Sequence, residues 1–133
     1  ENQRKVLGHM PDVTLVECGY DGADYDEAVR GLEGEPEGGA RCTECFRLRL
    51  DFAAREAARL GCEYCCTTLT VSPHKDARRI NALGEEICAS HGVKWLPGDF
   101  KKRNGYKRSI ELSHEFGLYR QDYCGCLYSK NQQ

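Results

Sequence analysis

The sequence predicts an α/β fold in which helices pack on a mostly parallel sheet. Short apolar runs rich in β-branched residues alternate along the chain with segments whose apolar residues recur every three or four positions. This alternation is typical of parallel sheets, because a crossover helix returns the chain to the edge at which the next parallel strand begins. The length of 133 residues predicts a single domain over residues 1–133.

The first forty residues predict short elements and a loop. Residues 3–8 indicate the last turn of a helix, and residues 13–18 form an apolar, β-branched run that predicts a buried strand. Residues 24–30 predict a short helix with acidic side chains at its positive N-terminal end. Residues 31–41 contain four glycines and a proline, which predict a loop.

The remaining elements alternate between helix and strand. The strongest helical pattern covers residues 43–60, and residues 72–90 and 106–116 predict two more helices. Residues 62–69 and 93–96 predict the second and third strands. Three strands make a thin sheet for a fold with helices on both faces, so we expect a first strand to be missing and to precede Glu1.

Charge, hydropathy and cysteine content exclude several classes of protein. Lys and Arg number 19 against 21 Asp and Glu, so the net charge of −2 gives no overall attraction to nucleic acid or to anionic membranes. No apolar run approaches the roughly 18–20 residues of a membrane span, which excludes a membrane protein. Nine cysteines cannot all pair, which disfavours a secreted disulfide scaffold. We therefore expect a cytoplasmic protein with reduced thiols.

Cys42 and Cys45 form a C-x-x-C motif where the glycine-rich loop leads into a helix. The spacing lets both sulfurs point at one metal ion or cluster edge, and the helix N-terminus stabilises their thiolates. Zinc, iron–sulfur and dithiol redox chemistry all use this motif, so the spacing leaves the three open.

Cys124 and Cys126 form a C-x-C motif around Gly125. A disulfide across one residue closes a small, strained ring, and strained disulfides are readily reduced. The pair is therefore a candidate for a reversible dithiol or for two metal ligands. Together with Cys42 and Cys45 it would also complete a zinc site of four cysteines.

The other five cysteines are interpreted as packing residues. Cys62, Cys65 and Cys66 fall in a predicted buried strand, where alternating side chains keep Cys62 and Cys65 from sharing a metal. Cys18, at a predicted strand end, and Cys88, next to an apolar helix position, receive the same interpretation.

Basic residues cluster near two predicted helices, and such patches can bind a phosphate backbone even when the net charge is slightly negative. The alternative to RNA binding is that these residues form an ordinary solvated, charged surface. Tyrosines near these segments could stack on unpaired bases. The candidate RNA-binding residues are Lys75, Arg78, Lys101, Lys102, Arg103, Lys107 and Arg108.

Four segments in order along the chain resemble the QueH-type epoxyqueuosine reductases. They are residues 31–50 with the C-x-x-C motif, residues 67–76, residues 109–113, and residues 117–126 with the C-x-C motif. The resemblance extends over most of the chain, from about residue 19 to residue 129.

The resemblance implies a Rossmann-like three-layer fold of the nucleotide-hydrolase (HUP) type. It also implies two-electron reduction of epoxyqueuosine, at the wobble position of transfer RNA, to queuosine. Cys42 and Cys45 would be two of the four ligands of a [4Fe–4S] cluster, and Cys124 and Cys126 would be a redox-active pair. The family also allows a second iron, whose ligands the sequence does not assign. Partners would be the modified transfer RNA and an electron donor of unknown identity, with no membrane.

The chain departs from the family at its start. The family's first strand, which carries a Cys-Cys pair, has no counterpart here, so we expect the other two cluster ligands upstream of Glu1. The chain then represents the C-terminal part of a reductase and would be inactive alone. The reaction needs a proton donor, for which Asp21, Asp76 and Asp122 are candidates. The rival functions are a structural zinc module, a metal-free thiol oxidoreductase and an RNA-binding module without catalysis.

Overall fold

The computed structural model describes residues 1–19 and 22–130, and over these it shows six α-helices and two short strands. Asp21 lies outside the described residues. The elements are α1 (Asn2–Leu7), α2 (Ala23–Ala28), α3 (Ala40–Arg59), β1 (Tyr64–Cys65), a 3₁₀ turn (Leu69–Val71), α4 (Ala77–Ser90), β2 (Lys94–Trp95), α5 (Gly105–Glu115) and α6 (Leu127–Lys130). Within the described ranges, no helix is both long and apolar enough to cross a bilayer.

The chain divides into two compact units, one of residues 22–106 and one that joins residues 1–21 to residues 107–133. In the larger unit β1 and β2 pair in parallel, with Tyr64 opposite Lys94 and Cys65 opposite Trp95. The crossover between the two strands contains α4, which packs on α3. The structure thus confirms a fold of the α/β class.

One face of α3 and one face of α4 form the core of the 22–106 unit. The pattern that predicted the first helix is confirmed, because Phe46, Leu50 and Ala57 are all buried. The inner residues of α4, Ile80, Leu83 and Ile87, close the core from the other side. α3 therefore starts at the glycine-rich loop and continues through the centre of this unit.

In the smaller unit, short contacts join the two ends of the chain. The ring of His9 stacks on Phe116 with 4.0 Å between centroids. The Asn2 side chain donates to the Tyr119 carbonyl at 2.9 Å and accepts from the Tyr119 N–H at 3.3 Å.

The strand predicted at residues 13–18 is wrong. These residues are exposed and form no regular element, and Val13, Leu15 and Val16 each have more than a third of their surface in solvent. An apolar, β-branched composition favours an extended backbone, but a strand also needs a neighbour for its N–H and C=O groups. No strand among the described residues pairs with this segment.

The other two predicted strands exist but are shorter than expected, and the helix predicted from residue 72 starts later. Asp76 is the N-cap of α4, where its Oδ1 accepts from the Arg79 N–H at 3.1 Å. A capping carboxylate satisfies one of the free N–H groups of the first turn, so it fixes the start of the helix. The preceding Ser72-Pro73 lies in a turn.

The packing role predicted for five cysteines is confirmed for two and wrong for three. Cys65 and Cys88 are buried and lie near each other, whereas Cys18, Cys62 and Cys66 are exposed. Burial, followed by the neighbouring Cys88 thiol, raises the pKa of Cys65 to about 12. The exposed three lie on segments that the sequence predicts as buried strands and that are loop or strand edge in the structure.

Candidate functional site

The glycine-rich loop of residues 31–39 is held by Arg41, which is almost fully buried (1 % exposed). Its Nη1 donates to the Leu32 and Glu33 carbonyls at 3.2 Å each and to the Glu35 carbonyl at 2.5 Å. A loop lacks the regular backbone hydrogen bonds of a helix or a sheet, so some of its carbonyl groups need other donors. A planar guanidinium can donate to several carbonyls at once. Arg41 therefore fixes the first half of the loop, directly beside Cys42 in sequence.

Cys42 lies in the first turn of α3, and its thiol is buried. The Gly38 N–H donates to the Cys42 Sγ at 3.2 Å. Gly38 has a φ of +85°, which places its N–H toward the start of the helix in a conformation that side chains with a Cβ rarely adopt. The loop thus folds back on the helix and supplies a donor to this sulfur.

Cys45 lies one helical turn after Cys42, so both thiols are on one side of the helix start. Cys45 is half-buried. This end of α3 carries the positive end of the helix dipole, which attracts negatively charged groups. Two adjacent thiols with a backbone donor are a donor set that fits one edge of an iron–sulfur cluster or half of a zinc site.

The described residues contribute this pair and no larger ligand set. Among residues 1–19 and 22–130, no group of three or more His, Cys, Asp or Glu side chains is arranged to hold a metal ion. Cys42 and Cys45 belong to the 22–106 unit, and Cys124 and Cys126 belong to the other unit. A metal group bound by Cys42 and Cys45 would therefore need ligands beyond this pair.

A basic residue that is not among the predicted RNA-binding candidates is part of this site. Arg79, on α4, donates from Nη1 to the Gly38 carbonyl at 2.6 Å and to the Thr43 hydroxyl at 3.2 Å. Gly38 is therefore held on both sides, by Arg79 at its carbonyl and by Cys42 at its N–H. No local sequence signal indicates this contact, because the two residues are 41 positions apart.

The C-x-C pair lies in a turn at the start of α6. Gly125 has a φ of +99°, and Cys124 and Cys126 are both half-buried. Ser129 contacts both cysteines: its hydroxyl accepts from the Cys124 N–H at 3.1 Å, and its N–H donates to the Cys126 Sγ at 3.3 Å. Ser129 is itself 3 % exposed, and sequence reasoning missed it.

The predicted RNA-binding residues have different surroundings. Lys75 lies over the Phe46 ring at 5.6 Å, and Arg108 pairs with Glu111 at 3.2 Å. Lys101 pairs with Asp99 at 2.8 Å, and this ammonium holds the pKa of Asp99 below its ordinary value. The remaining candidates, which are exposed, are Arg78, Lys102, Arg103 and Lys107.

The loop that carries Lys101, Lys102 and Arg103 is fixed at its base. Thr70 is 1 % exposed, and its hydroxyl accepts from the Phe100 N–H at 3.1 Å while its carbonyl accepts from the Lys101 N–H at 3.1 Å. Arg103 has a φ of +52° and Asn104 a φ of +61°. Two successive residues with a Cβ in the left-handed region are uncommon, and such strain persists only where the surroundings enforce it.

Of the proton-donor candidates, Asp76 has its carboxylate engaged as the N-cap of α4, three residues before Arg79. Asp122 is exposed, two residues before Cys124. Asp76 thus caps the helix whose Arg79 reaches the Gly38 carbonyl, and Asp122 belongs to the segment of the C-x-C pair.

Comparison with known proteins identifies the family. The family model of epoxyqueuosine reductase QueH matches residues 1–132. The epoxyqueuosine reductase QueH of Streptococcus pyogenes is 48 % identical over 91 % of this chain, and that of Staphylococcus epidermidis is 46 % identical over 91 %. The Thermotoga maritima protein of the same name is 39 % identical over 77 % of the chain.

The matches cover 48 %, 52 % and 53 % of these relatives, so the chain spans about half their length. The resemblance seen in the sequence motifs is confirmed, and the chain belongs to the epoxyqueuosine reductase QueH family.

Proposed function

We propose that the protein containing this chain reduces epoxyqueuosine, at the wobble position of transfer RNA, to queuosine. The reaction removes the epoxide oxygen as water and consumes two electrons and two protons. Membership of the family supports the reaction class. The observation that carries the proposal is the thiol pair at the start of α3, where Cys42 receives a hydrogen bond from the Gly38 N–H.

Cys42 and Cys45 would hold one edge of a [4Fe–4S] cluster, with the other two ligands supplied by the segment that we expect before Glu1. When bound, such a cluster transfers electrons one at a time and provides a Lewis-acidic iron. The chain's own contribution at this site is to orient the two sulfurs and to place a backbone donor on one of them. The described residues assign no ligands to a second iron.

Cys124 and Cys126 would act as the dithiol of the reaction. Their oxidation to a disulfide forms one S–S bond and releases two electrons and two protons, which is the amount that the epoxide consumes. Gly125 provides the backbone freedom for so small a ring, and Ser129 holds the reduced pair in its turn. An external electron donor would then reduce the disulfide again.

The exposed basic residues of the loop of residues 98–105, Lys102 and Arg103, would contact the phosphate backbone of the anticodon arm, together with Arg78 and Lys107.

The chain spans about half of the relatives' length. The cluster and the Rossmann-like three-layer fold would therefore be complete only in a protein of the relatives' length. The reaction would take place in the cytoplasm, with transfer RNA as substrate.

The test is anaerobic reconstitution of the chain joined to the segment expected upstream. Cys42→Ser and Cys45→Ser should each lose iron and the brown colour, whereas Cys66→Ser, which removes an exposed thiol outside both motifs, should retain them. Zinc at unit stoichiometry without iron uptake would contradict the cluster. Cys124→Ser should keep its iron and lose turnover, and unchanged turnover would remove the pair from the reaction.

A further inference from the structure

Arg79 connects two parts of the 22–106 unit that are distant in sequence. It lies in the first turn of α4, where Asp76 caps the helix and fixes its start. From there its Nη1 reaches the glycine-rich loop at Gly38 and the first turn of α3 at Thr43. The Gly38 contact is short, 2.6 Å, and charge-assisted, which makes it one of the stronger hydrogen bonds a protein forms.

The residue that Arg79 holds is the one that contacts Cys42. The Gly38 N–H points at the Cys42 Sγ while Gly38 has a φ of +85°. The next residue is held as well, because the Gly39 N–H donates to the Pro36 carbonyl at 3.0 Å and the Gly39 carbonyl accepts from the Thr43 N–H at 3.2 Å. Arg41 fixes the carbonyls of residues 32, 33 and 35, which precede Pro36. α3 therefore holds the loop at residues 32, 33, 35 and 39, and Arg79 of α4 holds it at Gly38.

We infer that Arg79 is a positioning residue for the Cys42 sulfur: it holds Gly38 so that the N–H···S hydrogen bond forms. The hydrogen-bond arrangement does not depend on the proposed function. Its effect on a metal group does, because it assumes that Cys42 binds metal. Hydrogen bonds to the sulfurs help to set the reduction potential of iron–sulfur clusters, and donors to the sulfurs raise it. Arg79 thus favours the reduced form of a cluster bound at Cys42.

The first experiment measures the amide exchange of Gly38 by NMR in this chain without metal, so its result does not depend on the proposed activity. In Arg79→Gln the protection of the Gly38 amide should fall at least about tenfold, because a charge-assisted hydrogen bond is lost. Core amides of α3 and α4, such as those of Leu50 and Ile87, should keep their protection. Arg78→Gln, which removes the adjacent exposed arginine, should leave Gly38 unchanged.

Two results would overturn the inference. One is an unchanged Gly38 amide in a folded Arg79→Gln variant. The other is an equal loss of protection along α4, which would make Arg79 a general helix contact. If Arg79→Gln does not fold, Arg79→Lys provides the test, since a single ammonium can reach one of the two oxygens and should give an intermediate loss of Gly38 protection.

The second experiment measures the reduction potential of the iron-loaded longer protein. Arg79→Gln should shift the potential to a more negative value at unchanged iron content, whereas Arg78→Gln should not. An unchanged potential together with lost Gly38 protection would overturn the part of the inference that concerns the sulfur. Failure of both proteins to take up iron would contradict the proposed function and leave the result on the Gly38 amide intact.

Discussion

The indole ring of Trp95 lies directly against Gly84, in the space that any larger side chain at position 84 would occupy. The Trp95 Nε1–H donates to Asn81 Oδ1 at 3.0 Å, and the same oxygen accepts from the Gly98 N–H at 3.2 Å. The close approach of α4 to β2 therefore requires a glycine at position 84, which has no Cβ. The hydrogen bond to Asn81 keeps the Trp95 ring in place.

Gly84→Ala should lower the free energy of unfolding, although alanine improves helix propensity by about 1 kcal/mol. The Cβ would overlap the Trp95 ring, and overpacking of this kind costs about 1–3 kcal/mol. Urea unfolding checks the sign. In a Trp95→Leu background the same substitution should become neutral or stabilising, and an equal loss in both backgrounds would contradict the proposed contact.

Gly38→Ala should destabilise the protein by about 1–2 kcal/mol, because a Cβ disfavours the left-handed backbone that Gly38 adopts. The control is Gly34→Ala in the same loop, where a Cβ meets no heavy atom within 4 Å and should have little effect. Thermal unfolding gives the stability. In the iron-loaded longer protein, Gly38→Ala should also alter the reduction potential, since the donor to Cys42 moves.

The Cys65 thiol should make the protein less stable at alkaline pH. Its pKa is about 12 in the folded chain against an ordinary value of 9.0, so the unfolded chain loses this proton first. Stability from this group is complete below about pH 9 and declines up to about pH 12, by at most about 1.4 kcal/mol per pH unit. Urea unfolding from pH 8 to 11 measures the slope.

Cys65→Ala is the control for this pH dependence. The variant should be less stable at neutral pH, because it leaves a small cavity, but its stability should vary less between pH 9 and 11. Equal slopes in the two proteins would mean that another group titrates. Alkylation at pH 8 should also modify the exposed Cys62 and Cys66 well before Cys65.

Lys102 and Arg103 should contribute to transfer RNA binding more than Lys101. The Lys101 ammonium pairs with Asp99 at 2.8 Å, and both side chains are about three-quarters buried. Lys102 lies farther from the same carboxylate, at 3.8 Å, and it is exposed, as is Arg103. Lys102→Gln and Arg103→Gln should each weaken binding and reduce the slope of log affinity against log salt by about one. Fluorescence anisotropy between 50 and 200 mM salt, in the longer protein, measures both.

Lys101→Gln should instead lower the unfolding midpoint with a smaller change in the salt slope, since it leaves Asp99 without its closest cation. If Lys101→Gln gave the largest change in slope, the ion pair would not persist in solution, and the ranking of the three residues would be wrong.

The sequence predicts best what depends on neighbours along the chain. The periodic apolar positions of α3 and α4 are local signals, and the C-x-x-C spacing places two thiols on one side of a helix start because helical geometry fixes the distance. Residues 13–18 show the limit of this reasoning, since strand composition predicts an extended backbone but not a partner strand.

The parts of the site that sequence reasoning missed are contacts across the fold. In the sequence, Arg79 is one of several neighbouring basic residues. Only the packing of α4 beside the start of α3 brings it to Gly38. Ser129 is an ordinary serine after the C-x-C motif, and its two contacts depend on the turn at Gly125. Motif spacing identifies the sulfurs, whereas the groups that surround them come from tertiary structure.

The position of Cys42 on α3 also has a consequence for the fate of the protein in a cell. The same helix that presents this thiol continues through Phe46, Leu50 and Ala54 into the core of its unit. A metal group bound at Cys42 and Cys45 would add its binding free energy to the folding of that unit. Protein that lacks the proposed metal group would then unfold more often than the loaded form, and proteases would degrade it faster.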